Sequence, residues 1–487
     1  MRAYLLGFAT VSLFACGTDV AGDDGPDPDP EPRATWYQDV APIVAEHCMG
    51  CHSPGGIGPF DLTTYDMASE NAGRMIDQID KGAMPPFDAR EEADCTPRFH
   101  WEDDPRLSAT EVDTIKLWIE DGLAEGTVAP NPPIPSTELS GVTKTLTPTV
   151  PFTSSGTRDQ FICYVLDPQT QGTWLTGLQV RPGNPLVVHH VVVSELMPGA
   201  EHDAVVAQRG IGIPWDCSQE QTPGGFVVSI WTPGNQPMQT PTDLAVPLVG
   251  GAKLVMQLHY HPAGMTHQPD ATTIDLRTSL TWPKKMYFVG AFGNEFQAPS
   301  LLPDPDDRLS GTPEFRIPAG DADHLEHMRI TVPPLGDISQ VQLYSVNPHM
   351  HMVGTHISAK IERPAPRGTD PANECLANGN WNFDWQRTYI YDAPLEQMPT
   401  LMPGDVIDLK CKWNNTMANP FVQRLLEDEG LVAPIDLMLG EGSTDEMCLE
   451  IFGFAIDAPP QSMLRTAPTM DELPMHLLET LSIKRNN

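Results

Sequence analysis

The sequence predicts a multidomain chain in which a small all-α module precedes a longer all-β region, and three observations predict it. At 487 residues the chain is too long for one ordinary core, and domain-size priors suggest about three or four folded units. Fifty prolines and 39 glycines, with few long amphipathic helical patterns, favour short strands joined by turns over a helical protein. The character of the chain also changes along its length. Residues 34–130 read helical at both ends, and from about Glu138 onward apolar runs of strand length follow one another between Pro- and Asn-rich punctuation such as Asn131-Pro132-Pro133.

A net charge of −36 and a sequence pI near 4.5 set up a strongly negative field that opposes binding to nucleic acid or to anionic membrane surfaces. Solubility is the plainest use of such a charge. Residues 1–16 read as an export signal: Arg2 precedes an apolar stretch from Tyr4 to Ala15 that is too short for a stable membrane anchor. Leu13-Phe14-Ala15-Cys16 resembles the lipobox of bacterial lipoproteins, which would lipidate Cys16; ordinary signal peptidase cleavage is the alternative. Residues 17–33, with Asp-Pro-Asp-Pro-Glu-Pro near their end, are an acidic, proline-alternating tether that cannot bury a core. The expected location is the periplasm or cell envelope, with membrane contact only through a lipid on Cys16. No other stretch is apolar enough to span a bilayer.

Of nine cysteines, Cys16 belongs to the signal, and Cys48 and Cys51 to a motif discussed next. Cys95, Cys163, Cys217, Cys375, Cys411 and Cys448 remain, an even set that suits up to three disulfides in an exported protein, with the pairing open.

Val40, Ile43 and Val44 share one helical face that leads into Cys48-Met49-Gly50-Cys51-His52. In this CxxCH motif two thiols on one turn can add to the two vinyl groups of a haem, and the following imidazole can face its iron. Zinc would need a second ligand pair, and the sequence has no second CxxC and no HxxxH. Met84, on the stiff turn Gly82-Ala83-Met84-Pro85-Pro86, is the expected opposite ligand, with Met67 and Met75 as alternatives. Ser108-Ala109-Thr110-Glu111 forms a capping box ahead of Val112, Ile115, Trp118 and Ile119 on one helical face. Residues 34–130 thus resemble a class I cytochrome c, with haem c as cofactor.

Three histidine clusters fall in or beside predicted strands: His189-His190, His259-Tyr260-His261, and His349-Met350-His351. One such cluster is more often structural than metal-binding. Alternation places Gln257, His259 and His261 on one face and sends His189 and His190 to opposite faces. Three clusters in one exported β-protein point to a metal, without naming it. Near the C-terminus follows Gly442-Ser443-Thr444-Asp445-Glu446-Met447-Cys448. A thioether beside imidazoles favours copper, especially Cu(I).

The ordered set of His-His, HYH, HxH and the late methionine resembles the copper type II ascorbate-dependent monooxygenases, of which peptidylglycine alpha-hydroxylating and dopamine beta-monooxygenases are familiar members. That resemblance covers roughly the last two-thirds of the chain. It implies two all-β jelly-roll-like sandwiches, here residues 138–283 and 284–487 including a tail with a short helix at Met470 to Ile483, with one copper ion in each and a solvent-filled cleft between them. His189, His190 and His259 would hold the electron-transfer copper. His349, His351 and Met447 would hold the copper at which O2 reacts. His261 is then not a ligand, and adjacent His189 and His190 need a bulge or irregular backbone. A Cys411–Cys448 disulfide holding the Met447 loop is implied as well.

Two departures bear on substrate. Where the peptide-amidating member grips a carboxylate with arginine and tyrosine, this chain has Asn347 and Ile451. A small neutral or apolar organic substrate fits better than a peptide. The expected function is copper-dependent hydroxylation of an activated C–H bond with O2, with electrons from ascorbate, from another soluble donor protein, or through the fused haem region. A non-catalytic exported copper-binding or electron-transfer protein is the alternative.

Overall fold

In the computed structural model, residues 32–461 are described except 55, 131, 135–137, 157–158, 219–222, 224–225, 262–268, 310, 441 and 443, together with Leu473. The export signal, Cys16, the tether up to residue 31, Asn131 of the linker and the tail helix expected at 470–483 (apart from Leu473) lie outside the described residues.

Three helical segments open the described chain: Trp36–Val40 running into Ala41–His47, then Tyr65–Asp80, then Ala109–Glu120. Thr64 accepts from the Met67 amide at the second start, and Ser108 and Glu111 form a reciprocal capping box at the third. Their apolar faces meet in a small core of their own, where Trp36 and Trp118 lie 5.6 Å apart between ring centroids and Val44, Met75 and Ile115 are buried.

The stretch between the second and third helices leaves this cluster. Phe87, Ala89 and Trp101 are buried in the main β core. Ala89, Pro97 and Trp101 bridge to Gly379, Cys375 and Tyr391, Trp101 stacks on Tyr391 at 5.1 Å, and a disulfide joins Cys95 to Cys375. A separate all-α cytochrome c domain followed by two sandwiches is therefore not what the chain forms. Strands hold 36 % of residues against 16 % in helices, and the span expected to be all-α is divided between a helical cluster and a segment built into the β core. The physical reason is visible in its side chains: Phe87 and Trp101 are buried, and Phe99 half-buried, against the rings of Tyr389 and Tyr391.

The two expected sandwiches also share a wall. One ten-stranded sheet runs in the order Lys144–Leu146, Thr273–Ser279, Thr173–Arg181, Leu244–Leu248, Lys285–Gly293, Leu449–Asp457, Val341–His349 and Tyr389–Ile390, with Met238–Gln239 and Thr400–Leu401 added at its flanks. The join is a short parallel pairing, Lys285 with Leu244 and Met286 with Ala245, so backbone hydrogen bonds cross the position where one sandwich would end. A five-stranded sheet (Trp215–Asp216, Gln160–Leu166, Lys253–Tyr260, Val188–Leu196, Phe226–Trp231) and a four-stranded sheet (His324–Thr331, Val406–Trp413, Gly354–Glu362, Asn373–Asn380) complete the body. One core, including Trp174, Val191, Leu258, Phe288, Leu343, Leu409 and Phe454, draws on all three. Cys163–Cys217 and Cys411–Cys448 are the other two disulfides, and three such bonds fit an oxidising, exported setting. No helix among the described residues is long and apolar enough to cross a membrane.

Candidate functional site

In the five-stranded sheet, His259 pairs with His190 while the next residue, Tyr260, pairs with Val188. His189 is the extra residue of a β-bulge, and the bulge turns two adjacent histidines towards one side. Ligand atoms of His189, His190 and His259 all lie within 4.8 Å of one another. Nδ1 of His190 is 3.3 Å from Nδ1 of His189 and 3.2 Å from Nδ1 of His259.

The hydrogen bonds behind these rings decide what the cluster offers. Asp159 accepts from His259 Nε2 at 2.8 Å and from His261 Nδ1 at 2.6 Å. A neutral imidazole carries one N–H, so His259 presents a lone pair at Nδ1 to its neighbours. Burial pushes His190 well below the ordinary histidine range, with His259 and His189 adding to the effect, and pushes His259 down to about 4 against the pull of Asp159. Burial works against the Asp159 carboxylate too, yet the two histidine hydrogen bonds hold it well below the usual range. Part-buried rings with converging nitrogens are the donor set a soft or borderline cation takes. His261 is tied to Asp159 and stands back, 6.4 Å from His189 between ring centroids.

His349 and His351 stand at the end of strand Val341–His349, 5.5 Å apart between ring centroids. His351 Nδ1 donates to the Asp445 carbonyl at 3.0 Å, and His349 Nδ1 donates to Gln386 Oε1 at 3.1 Å. Gln386 is oriented by its own Nε2, which donates to the Phe383 carbonyl. Both rings therefore present Nε2 as the free lone pair. Burial first, then the neighbouring His351, pushes His349 down to about 3. Met447 is buried two residues before Leu449, which pairs with His349, and packs with Leu449 and Ile451 against Ile230, Val289 and Ala291.

Glu446 organises this end of the molecule. Its buried carboxylate accepts from the amides of His351 and Val353 and from Trp413 Nε1 at 2.8–2.9 Å. Trp381 Nε1 donates to the His351 carbonyl. The Cys411–Cys448 disulfide ties the Met447 loop to the four-stranded sheet. Gly293 permits a close approach there: with φ of +132°, a Cβ on it would lie 2.1 Å from the Cys448 carbonyl oxygen.

One short strap touches both histidine clusters. Phe383 stacks on His189 at 4.7 Å, Asp384 lies 3.8 Å from His189 Nε2, and Gln386 holds His349. Thr232 Oγ1 donates to the Gln386 carbonyl and Arg424 pairs with Asp384 at 2.9 Å. Burial opposes the Asp384 carboxylate, but His189 and Arg424 hold it at about 2.

No family model and no curated protein matches this chain. Among solved structures, the major capsid protein P2 of bacteriophage PM2 is 8 % identical, with 66 % of this chain and 99 % of that chain covered and a TM-score of 0.24. A point-mutant VP2 protein of infectious bursal disease virus is 11 % identical over 66 % of this chain and 72 % of its own, with a TM-score of 0.16. The tandem CBM22-1-CBM22-2 domain of Xyn10C from Paenibacillus barcinonensis is 12 % identical over 62 % and 79 %, with a TM-score of 0.15. Likenesses this weak carry no argument.

At the CxxCH motif, Cys48 and Cys51 are unpaired thiols. Burial raises both, Cys48 to about 12. His52 Nδ1 donates to the Phe60 carbonyl at 2.9 Å, which leaves Nε2 as the free nitrogen. Gly58 makes that possible, because a Cβ there would lie 2.7 Å from His52 Nδ1. These donors suit a covalently attached haem. Met84 is half-buried on the turn after helix Tyr65–Asp80, and Met75 is packed in the helical core. Arg387, next to Gln386, bears on the Cys51 thiol by its charge and lies over the Phe87 ring at 5.4 Å.

A cavity of about 330 Å³ opens between the sheets, lined among others by Trp231, Tyr287, Tyr344, Asn347, Arg387 and Ile451. Asn347 and Ile451, singled out in the sequence, face the same space. Asp159, Gln386, Phe383 and Glu446 carried no recognisable signal in the sequence. Only Glu446, as the neighbour of Met447, stood close to a motif.

Proposed function

We propose that this chain is a copper-dependent monooxygenase that hydroxylates an activated C–H bond of a small neutral organic substrate, similar to the copper type II ascorbate-dependent enzymes. The observation that carries the reading is the pair of part-buried imidazole clusters, in which hydrogen bonds behind His259, His349 and His351 fix the free ring nitrogens and both of which residues 383–386 touch. His189, His190 and His259 would hold one copper ion, and His349, His351 and Met447 the other. Copper in such sites supplies the one-electron chemistry by which one atom of O2 enters the substrate and the other leaves as water, at a cost of two electrons and two protons.

The chain's own residues position and enclose. Asp159 fixes the His259 tautomer, while Gln386 and the Asp445 carbonyl fix those of His349 and His351. Ile451 gives the cavity an apolar wall. Asn347 Nδ2 is already engaged, donating to Thr388 Oγ1 at 2.7 Å. Burial pulls the Arg387 guanidinium below its ordinary range, and its NH1 donates to the Pro86 carbonyl at 3.5 Å. A size near 330 Å³ suits a small organic molecule.

Haem c held by Cys48, Cys51, His52 and Met84 would carry single electrons. Sequence-adjacent residues would support an internal route: the charge of Arg387 bears on the Cys51 thiol, and Gln386 holds His349. Ascorbate or an electron-transfer protein is the external source, and the setting is the periplasm or cell envelope. Metal analysis after copper loading should give two copper ions per chain, and a reductant should then drive O2 uptake that rises with a suitable trial substrate. Two coppers without O2 uptake would leave a copper-binding or electron-transfer protein. On mixing with the Cu(II) form, pre-reduced haem should be reoxidised at a rate independent of protein concentration; haem that stays reduced would make the soluble donor the source.

A further inference from the structure

Behind the Met447 loop, at the start of strand His324–Thr331, lies a second kind of ligand set. His324 and Glu326 are 2 % and 0 % exposed. His324 Nε2 is 3.1 Å from Glu326 Oε1, and ligand atoms of Asp304, His324 and Glu326 lie within 4.8 Å of one another. On the other side of the ring, Nδ1 is 3.3 Å from Asp306 Oδ2 and 3.8 Å from Asp321 Oδ2. Both ring nitrogens thus face carboxylates, yet a neutral imidazole has one N–H to give.

Positive charge nearby is committed elsewhere. Arg316 reaches Asp436 with NH1 at 3.1 Å, the Asp306 carbonyl with NH2 and Glu314 with Nε at 3.5 Å; only its backbone amide reaches Glu326, donating to Oε1 at 3.0 Å. Glu326 Oε2 is buried and has no hydrogen-bond partner among the described residues. An orphaned carboxylate oxygen in a dry site is costly unless something meets it.

We propose that His324 Nε2, Glu326 and Asp304 form a site for a structural divalent cation, with Asp306 orienting the imidazole by accepting from Nδ1–H. A carboxylate behind a ligating histidine is the usual support of such a ring. Two carboxylates and one imidazole suit manganese or zinc, whereas calcium seeks more oxygen ligands and copper(I) softer ones. The position gives the ion a purpose. Glu326 pairs across the sheet with Cys411, the disulfide partner of Cys448, and Trp413, whose ring lies 6.0 Å from His324, donates to Glu446. An ion here stiffens the strands that carry the Met447 loop.

Manganese is the probe, because it favours oxygen ligands and is poorly held by imidazole and thioether clusters; its result does not depend on whether the other sites take copper. The stripped full-length chain should bind one Mn2+, with a rise in Tm, and E326Q should lose both. D306N, altered at an exposed position, should fold as the wild type by circular dichroism and bind Mn2+ about tenfold more weakly. Wild-type protein that binds neither Mn2+ nor Zn2+ beyond the other histidine clusters would overturn the site and leave His324 as a buried imidazolium. Unchanged affinity in D306N would remove the orienting role, and unchanged binding in a folded E326Q would overturn the proposal outright.

Discussion

The two imidazole clusters differ in what stands behind their rings. Behind His259 is a carboxylate, Asp159, shared with His261. Behind His349 and His351 are neutral oxygens, the Gln386 amide and the Asp445 carbonyl. A carboxylate makes an imidazole the more basic ligand and favours a more highly charged metal, whereas neutral acceptors orient the ring without that push. With copper in both clusters, as proposed, the one on the five-stranded sheet would better tolerate the oxidised state and the one beside Met447 would favour the reduced state.

The strongest way to break this comparison is to remove a ring from each side. His259→Ala and His349→Ala should each lower copper from two ions per chain to one by metal analysis; if both variants keep two, neither cluster holds the metal. Next in size, Met447→Ala should keep the copper on the three-histidine side and cut reductant-driven O2 uptake by about 100-fold, on the order of 3 kcal/mol of barrier. An oxygen electrode reads this, and unchanged uptake would detach the thioether from the chemistry.

A finer test exchanges only the groups behind the rings. Asp159→Asn should weaken the three-histidine copper by about 10–100-fold in chelator competition, with Gln386→Ala weakening the other by about tenfold or less. Equal losses would erase the distinction between charged and neutral support. The smallest effect concerns the sheet rather than the metal. Burial raises Glu195, on the strand of His189 and His190, to about 8, opposed by the Val249 amide. Unfolded, this carboxyl loses its proton near 4.5, so between 4.5 and 8 the folded state holds a proton that the unfolded state has released, and stability falls as pH rises through that window. Glu195→Gln should flatten this slope and raise stability at pH 8 by on the order of 2 kcal/mol, checked by thermal melts at pH 5 and pH 8.

What the sequence made legible was local. Alternating apolar residues marked strands such as Lys253–Tyr260, the Ser108 to Glu111 box marked a helix start, and short histidine and cysteine motifs marked ring positions that the folded chain brings close together, as at His189, His190 and His259. What stayed hidden was register and remote pairing. Nothing around Leu244 announces that it will pair with Lys285, and that pairing makes one sheet of two expected walls. Asp159 and Gln386 were invisible for the same reason, lying 100 and 37 positions from the histidines they orient. The helical module reads as one unit because its two ends are helical, while its middle, from Phe87 to Trp101, packs its rings into the β core.

That middle segment also sets an order of events in time. Its cysteine, Cys95, is bonded to Cys375, 280 positions later, and closing so long a loop is slow and entropically unfavourable until most of the β core exists. During export the helices around Cys48 and Cys51 can assemble as soon as they emerge, while Phe87 and Trp101 wait for partners that arrive near the end of the chain. Should a haem attach at the CxxCH motif, as proposed, its window would come early, before late-arriving strands draw residues 87–101 into the β core.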